Sequence, residues 1–167
     1  MEATVQGNVE AVCLSSTGGV PKYSHRSIAI GNDGVEGDYH SGPINRHKKS
    51  GSAEPNTRQI TLVAKEVLEE LNARLGTELK PGDLGENILV SGLGDLSQFQ
   101  KGDRLQLGLE VILEITAQNS PCNVLDVYHP TFVKEVNGKR GVTAIVVRIG
   151  SVQPGDACRA HARLEDD

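Results

Sequence analysis

Short apolar runs separated by glycine-rich turns are the feature that most limits how this chain can fold. Turns such as Pro81-Gly82-Asp83 and Pro154-Gly155-Asp156 leave intervals that are too short for long helices. Because aromatic residues make up only 3% of the chain, its core must be built from Val, Ile and Leu, and the β-branched residues among these favour strands. The pattern predicts strands over residues 5–14, 25–30, 58–63, 87–90, 104–107, 111–117, 142–149 and 157–162.

One segment carries a clear helical pattern. Apolar residues recur at helical spacing from Ala64 to Leu75, and Gly76 ends the repeat. Many short strands with one main helix (about 64–75) and short helical segments predict a mainly β fold, either a barrel or a sandwich. At 167 residues we expect a single domain, 1–167, with a core over about 5–160. Residues 41–57 are predicted to form a long polar loop of the kind that often borders a binding site.

Charge and composition exclude several classes of protein. The net charge of −5 argues against a nucleic-acid-binding surface. No apolar run is long enough to cross a bilayer, and the first residues do not resemble a secretion signal, so we expect a soluble, cytoplasmic protein that binds neither nucleic acid nor membrane. The three cysteines lack a CxxC pair, which argues against a disulfide framework or structural zinc; Cys13 and Cys158 are interpreted as small buried strand residues.

The third cysteine, Cys122, lies where a predicted buried strand ends. It follows Ser120 and Pro121, a common pair at a helix start, so a short helical segment is predicted there with Cys122 in its first turn. Backbone N–H groups at a helix start stabilise an anion and would favour the thiolate, which is both a nucleophile and a metal ligand. A small residue buried beneath the helix start is the alternative.

Two other segments contain residues that could carry chemistry. Gly85, Glu86 and Asn87 lie in a glycine-rich stretch before a strand, where backbone amides can approach a ligand closely, although a plain strand-entry turn has the same composition. His40 could donate a proton or bind a metal, and Asp38 could orient it. A surface or structural role for His40 is the alternative.

Positive side chains flank these segments. If the loops meet, these side chains would form an electropositive mouth suited to a phosphate or carboxylate, although Lys48 and Lys49 could equally be solvated loop residues. Arg58 is the stronger candidate because it lies at a junction between a loop and a strand, where its guanidinium can be held in place. The full set comprises Arg46, Lys48, Lys49, Arg58, Lys139 and Arg140.

Six segments, in their order and spacing, resemble the MOSC domain family, which is named for the C-terminal domain of molybdenum cofactor sulfurases. They cover residues 34–42, 58–63, 81–92, 101–108, 113–122 and 141–156, and the resemblance spans roughly residues 5–160. It implies a β-barrel-like fold, a pterin-based molybdenum cofactor (molybdopterin), and Cys122 as the residue that binds metal or sulfur. His40, Arg58 and the Gly85–Asn87 segment also match positions of the family pattern. The 41–57 loop is longer than in many compact relatives, so the resemblance does not carry substrate specificity.

The resemblance leaves three functions open. In the first, Cys122 ligates molybdenum, and Arg58, loop amides and Arg140 hold the pterin phosphate. Some stand-alone members are similar to reductases of N-hydroxylated small molecules; a separate protein would supply the electrons, and His40 or Asp38 the proton. The second is a sulfur carrier with a persulfide on Cys122, and the third a non-catalytic cofactor-binding module. We expect no release of sulfur from cysteine by this chain, because it contains no aminotransferase-like part.

Overall fold

The computed structural model describes residues 4–45, 54–121 and 123–161. Eleven strands and two α-helices follow one another in the described chain, with a short 3₁₀ helix, Asn123–Val127, before the second α-helix. The helices are α1 (Lys65–Leu75) and α2 (Phe132–Val136). The strands are β1 (Thr4–Leu14), β2 (Tyr23–His25), β3 (Ile28–Gly31), β4 (Gly34–Val35), β5 (Ile60–Ala64), β6 (Ile88–Ser91), β7 (Arg104–Leu107), β8 (Val111–Gln118), β9 (Val142–Arg148), β10 (Gly150–Val152) and β11 (Ala157–His161).

Seven of the strands close into a barrel. They are hydrogen-bonded in the order β11-β7-β8-β9-β5-β6-β1, and antiparallel pairing of β1 with β11 completes the circle. β5 and β6 run parallel and are connected through α1, whereas the other neighbouring pairs in the barrel are antiparallel. β2 continues the sheet from β1, and β10, β3 and β4 form a separate small sheet. This architecture confirms the predicted mainly β barrel with one main helix.

The core follows from the spacing of the apolar residues. In β8, Val111, Leu113 and Ile115 are fully buried while the residues between them are partly exposed, as expected for a strand with one face toward the barrel interior. All five residues of β5 are buried because α1 packs over this part of the barrel. α1 ends where predicted, at Gly76, whose left-handed backbone donates its N–H to the Asn72 carbonyl at 3.0 Å.

One predicted strand is divided in the structure. The segment 25–30 splits because β2 pairs with β1 while β3 pairs with β10 in the small sheet. An apolar run does not reveal that the chain changes sheets. The predicted strand 142–149 is a single strand, β9, which ends at Arg148, and β10 follows it in the small sheet. Neither helix of the described residues has the length and apolar composition required to cross a bilayer.

The two ends of the 41–57 loop are held together. Ile44 and Pro55 form an isolated antiparallel bridge, and the amide of Asn56 donates to the Pro43 carbonyl at 3.0 Å. The Asn56 side chain also donates to the carbonyl of His40 at 2.7 Å. Residues 46–53 lie outside the described chain, as do the predicted roles of Arg46, Lys48 and Lys49. The described ends of the loop therefore fix the backbone beside His40.

Candidate functional site

A cavity of about 330 Å³ opens where the segments that enter and leave several barrel strands meet. Its volume lies within the range of small-molecule and cofactor sites. No acidic residue is present among the described residues that line it, whereas two arginines, a histidine and a threonine are. The lining consists of Gly19, Val20, His40, Arg58, Thr61, Gly85, Asn119, Ser120, Val124 and Arg140.

Strand register explains why these segments meet. Leu62 of β5 pairs with Ile88 at the start of β6 and with Val142 at the start of β9. Val142 in turn pairs with Gln118 at the end of β8. The residues just before β6, just before β9 and just after β8 are therefore neighbours, although they are far apart in sequence.

The two arginines attach to the same short segment. Arg58 donates from Nη2 to the side-chain oxygen of Asn119 at 2.9 Å, and Arg140 donates from Nη1 to the carbonyl of Ser120 at 2.8 Å. Arg140 is largely buried, with 9% of its surface exposed, and its Nη2 reaches the Leu84 carbonyl at 3.3 Å. Two guanidinium groups are thus fixed on the cavity wall, where the absence of acidic neighbours in the described lining suits them to an anion.

The position of Arg140 depends on the glycine that follows it. Gly141 has φ +88°, and a Cβ built on it would lie 1.8 Å from the Leu62 carbonyl oxygen. No side chain can be placed so close to a backbone atom, so the chain passes directly against β5 only because residue 141 is Gly. Gly85, beside Arg140 on the cavity wall, also has a positive φ, +83°, and its Cβ would lie 3.6 Å from Nη2 of Arg140.

Behind His40 lies a buried charged network. Lys22, with a side chain only 1% exposed, donates to both carboxylate oxygens of Asp38 at 2.7 Å and contacts Nδ1 of His40 at 3.1 Å. The Asp38 carboxylate also accepts the backbone N–H groups of Ser15 at 3.0 Å and His40 at 3.1 Å. The distance from Nδ1 of His40 to Asp38 is 3.7 Å, beyond hydrogen-bond range. Lys22, rather than Asp38, therefore makes the contact to the imidazole ring.

The electrostatics of this network keep the carboxylate ionised. Burial alone would raise the pKa of Asp38, but the interactions with His40 and Lys22 and the Ser15 amide hold that pKa well below its usual range. Burial lowers the pKa of Lys22, an effect that the Asp38 charge and hydrogen bonds oppose. Asp38 is consequently a fixed acceptor and not a reservoir of protons.

Glu86 and Asn87 lie inside the fold and not on the cavity wall. Both are fully buried, and Glu86 accepts the amides of Gly82 at 3.0 Å and Leu84 at 3.2 Å. Asn87 accepts the Thr61 amide at 3.1 Å and donates to the Cys13 carbonyl at 3.1 Å. Burial raises the pKa of Glu86 to about 7, against the lowering effect of the backbone donors. Glu86 holds the 81–88 loop together from within, and Asn87 anchors that loop to β1 and β5.

Known proteins share the sequence pattern and the fold of this chain. The sequence profile of the MOSC domain matches residues 36–159. This chain belongs to the MOSC domain family. It is 33% identical over 150 residues to the Bacillus subtilis (strain 168) protein YuaD, covering 77% of each chain, and that protein's name assigns it to metal-sulfur cluster biosynthesis.

Solved structures share the fold of this MOSC domain. The crystal structure of Bacillus subtilis YuaD superposes with a TM-score of 0.87 at 26% identity, covering 98% of this chain and 100% of the other. YiiM from Geobacillus stearothermophilus gives a TM-score of 0.69 at 19% identity, covering 96% of this chain and 77% of the other. YiiM from Escherichia coli gives 0.68 at 20% identity, covering 96% and 72%.

The cavity of the MOSC domain gathers part of the predicted site. His40, Arg58, Gly85 and Arg140 line it, whereas Asp38, Glu86 and Asn87 lie behind its wall. Cys122 lies outside the described residues, but Ser120 and Val124, each two positions from it in sequence, both line the cavity. The predicted helical segment is a 3₁₀ helix of five residues, Asn123–Val127, too short for a substantial macrodipole. Among the described lining residues, Arg58 and Arg140 are the two that carry a permanent positive charge.

Thr61, Asn119 and Lys22 are among the residues of this MOSC domain's site region that the sequence did not predict. Thr61, within β5, and Asn119, which directly follows β8, both line the cavity. Lys22 contacts the His40 ring from the buried side. Nothing in the sequence marks Lys22, since a lone lysine after a proline is ordinarily solvated.

The other two cysteines of the MOSC domain are buried in strands. Cys13 and Cys158 are free thiols with no exposed surface, which confirms their predicted place in strands. Burial raises the pKa of Cys13 to about 11 and that of Cys158 to about 12, so both remain protonated at neutral pH. Within the part of the chain that the structure describes, no group of three or more His, Cys, Asp or Glu side chains is arranged to hold a metal ion.

Proposed function

We propose that the cavity binds a pterin-type molybdenum cofactor, with Cys122 as the thiolate ligand of the metal. The observation that carries this proposal is the attachment of Arg58 and Arg140 to Asn119 and Ser120, the residues that lead directly to Cys122. The 119–122 segment thus contains a thiol suited to a soft metal, and the two arginines bound to this segment supply positive charge suited to a phosphate.

The chemistry of the described donor set fits such a group. The two guanidinium groups match a phosphate, and the absence of acidic side chains from the described lining avoids repulsion of an anion. Gly85 keeps that part of the wall free of a side chain. The cavity volume of about 330 Å³ is that of a cofactor site and not of a single-ion site.

When bound, the molybdenum centre would supply two-electron removal of oxygen from small N-hydroxylated molecules, with electrons from a separate redox protein. The residues of this chain hold the ligand and donate hydrogen bonds to it. Arg58 and Arg140 bind the phosphate, and His40 is the lining residue whose ring can donate a hydrogen bond to the oxygen that leaves. Asp38 does not serve as the donor in this proposal, because its carboxylate is ionised and enclosed by Lys22, Ser15 and His40.

A second candidate is sulfur carriage, in which Cys122 holds a persulfide. It is favoured by the name of the Bacillus subtilis relative YuaD, which places that protein in metal-sulfur cluster biosynthesis. The same arginines would then stabilise the anionic persulfide or an anionic acceptor. The two candidates share the cysteine and the cavity but differ in what the cysteine carries.

Elemental analysis of protein produced in a molybdate-supplemented, cofactor-competent host separates the two. Under the first proposal molybdenum co-purifies with the wild type and falls by about tenfold or more in Cys122→Ser, as expected for loss of a metal ligand. Cys158→Ala, a buried cysteine outside the described lining, should retain the metal. Full molybdenum content in Cys122→Ser contradicts the proposal. Cyanide-labile sulfur on Cys122 without molybdenum supports sulfur carriage instead.

Arginine substitutions test the anion-binding part of the proposal. Arg140→Lys cannot hold the carbonyls of Ser120 and Leu84 with one rigid fork, so cofactor retention should fall about tenfold, the equivalent of a lost charged hydrogen bond. Arg148→Lys, on the exposed end of β9, is the matched control and should retain cofactor normally. Equal retention by the two variants would contradict a role for Arg140 in holding the anion.

A further inference from the structure

The buried Lys22 ammonium uses its whole hydrogen-bonding capacity on two neighbours. A lysine ammonium has three N–H donors and no acceptor. Two of the contacts of Nζ go to the Asp38 oxygens, both at 2.7 Å, the short length typical of charge-assisted bonds. The third goes to Nδ1 of His40 at 3.1 Å.

The Asp38 carboxylate does not accept a hydrogen bond from Nδ1 of the His40 ring, and its oxygens are already occupied by other donors. Each of its oxygens accepts Lys22, one also accepts the Ser15 amide and the other the His40 amide. With Nδ1 of His40 3.7 Å from the carboxylate, the common arrangement in which a carboxylate accepts from the ring is not formed. Among the described residues, Lys22 is the group in contact with Nδ1 of His40, and its ammonium therefore bears directly on which ring nitrogen carries hydrogen.

We propose that Lys22 is a positioning residue that fixes His40 in the Nε2–H tautomer, so that the ring offers a hydrogen-bond donor to an anionic ligand of the cavity. A nitrogen that accepts from an ammonium carries no hydrogen, so the hydrogen of the neutral ring resides on Nε2, on the side away from Lys22. The identity of the anion rests on the proposed function; the tautomer does not.

This role accounts for a buried lysine that does not line the cavity. Burying an ion pair is costly unless its geometry and hydrogen bonds are complete, and here every donor of Lys22 is used within the described chain. Asp38 holds the ammonium in place, and the ammonium orients the ring. His40 links this buried ion pair to the cavity, because its ring accepts a hydrogen bond from Lys22 and also lines the cavity wall.

The test observes the tautomer directly in full-length protein labelled with ¹⁵N-histidine. Multiple-bond ¹H–¹⁵N correlation spectra distinguish Nε2–H from Nδ1–H, and His40→Gln assigns the resonances. The wild type should show His40 as the Nε2–H tautomer, with Nδ1 displaced by hydrogen bonding. A predominant Nδ1–H tautomer, as would result from a neutral Lys22 amine that accepts from the ring, overturns the proposal.

Removal of the lysine provides the second readout. Because Lys22→Met alone leaves Asp38 buried without its cation, the double variant Lys22→Met, Asp38→Asn removes both charges. We expect the Nδ1–H tautomer to appear and the affinity for inorganic phosphate, used as the probe, to fall several-fold. The control Lys65→Met, an exposed lysine paired with Glu10, should match the wild type in both respects. An unchanged ring spectrum and unchanged phosphate affinity in the double variant overturn the proposal.

The two proposals fail in distinguishable ways. If the wild type binds neither phosphate nor cofactor, the proposed function is contradicted, yet the ring spectrum still decides the role of Lys22. If the double variant does not fold, the wild-type tautomer alone decides it.

Discussion

Replacing Glu86 with Gln tests whether the 81–88 loop is held from inside the fold by a carboxyl group that titrates. Glu86 has no exposed surface, and its oxygens accept the amides of Gly82 and Leu84. Burial raises its pKa from 4.5 to about 7, against the effect of those donors. The substitution preserves the size and shape of the side chain but removes its ability to gain or lose a proton.

The sign of the expected effect follows from the two pKa values. Between pH 4.5 and about 7 the folded protein keeps a proton on Glu86 that the unfolded chain has released. The stabilisation from that proton is complete below pH 4.5 and is lost as the pH rises through about 7. At about 1.4 kcal/mol per pKa unit, Glu86 should lower the wild-type free energy of unfolding by about 3 kcal/mol across this window.

Urea unfolding at a series of pH values that spans the window measures this loss. The curve of unfolding free energy against pH should be flatter in Glu86→Gln than in the wild type by about 3 kcal/mol in total. The matched control is Glu69→Gln, an exposed glutamate on α1, which should keep the wild-type slope. Parallel curves for the wild type and Glu86→Gln would refute the reasoning, because Glu86 would then titrate equally in the folded and unfolded states.

Two further predictions concern backbone and charge. Gly141→Ala should destabilise the fold by more than about 4 kcal/mol in thermal unfolding, because its Cβ would lie 1.8 Å from the Leu62 carbonyl; Gly138→Ala, also at positive φ but with open space around it, should cost only about 1–2 kcal/mol. Lys22→Met should cost about 3–5 kcal/mol in chemical denaturation because it leaves the charge of Asp38 buried without its cation. Equal losses for the two glycine variants, or a loss below about 1 kcal/mol for Lys22→Met, would contradict these expectations.

The strands and the main helix were accessible from sequence because their signals are local. Alternating burial in β8 and helical spacing in α1 depend only on residues a few positions apart. The change of sheet within the predicted 25–30 strand was not accessible, because β2 pairs with β1 whereas β3 pairs with β10. Sheet membership is a property of distant pairing, which one strand's sequence does not carry.

The candidate site shows the same division between local and distant information. His40, Arg58 and Arg140 have side chains whose chemistry suggests a site, and all three line the cavity. Glu86 and Asn87 have equally suggestive chemistry but are buried anchors, since a loop that wraps a ligand and a loop pinned from within both use glycine and polar side chains. Burial and hydrogen-bond partners distinguish these cases.

Arg140 connects the anchored loop to the segment before Cys122 through a single guanidinium. Its Nη2 donates to the Leu84 carbonyl at 3.3 Å. Leu84 is itself held in place, because its amide donates to Glu86. Its Nη1 holds the Ser120 carbonyl at 2.8 Å. Because a guanidinium is planar and rigid, displacement of the loop must move either Arg140 or Ser120. Glu86 can therefore influence the cavity while remaining wholly inside the fold, so a mutation there that alters ligand binding is not evidence that Glu86 touches the ligand.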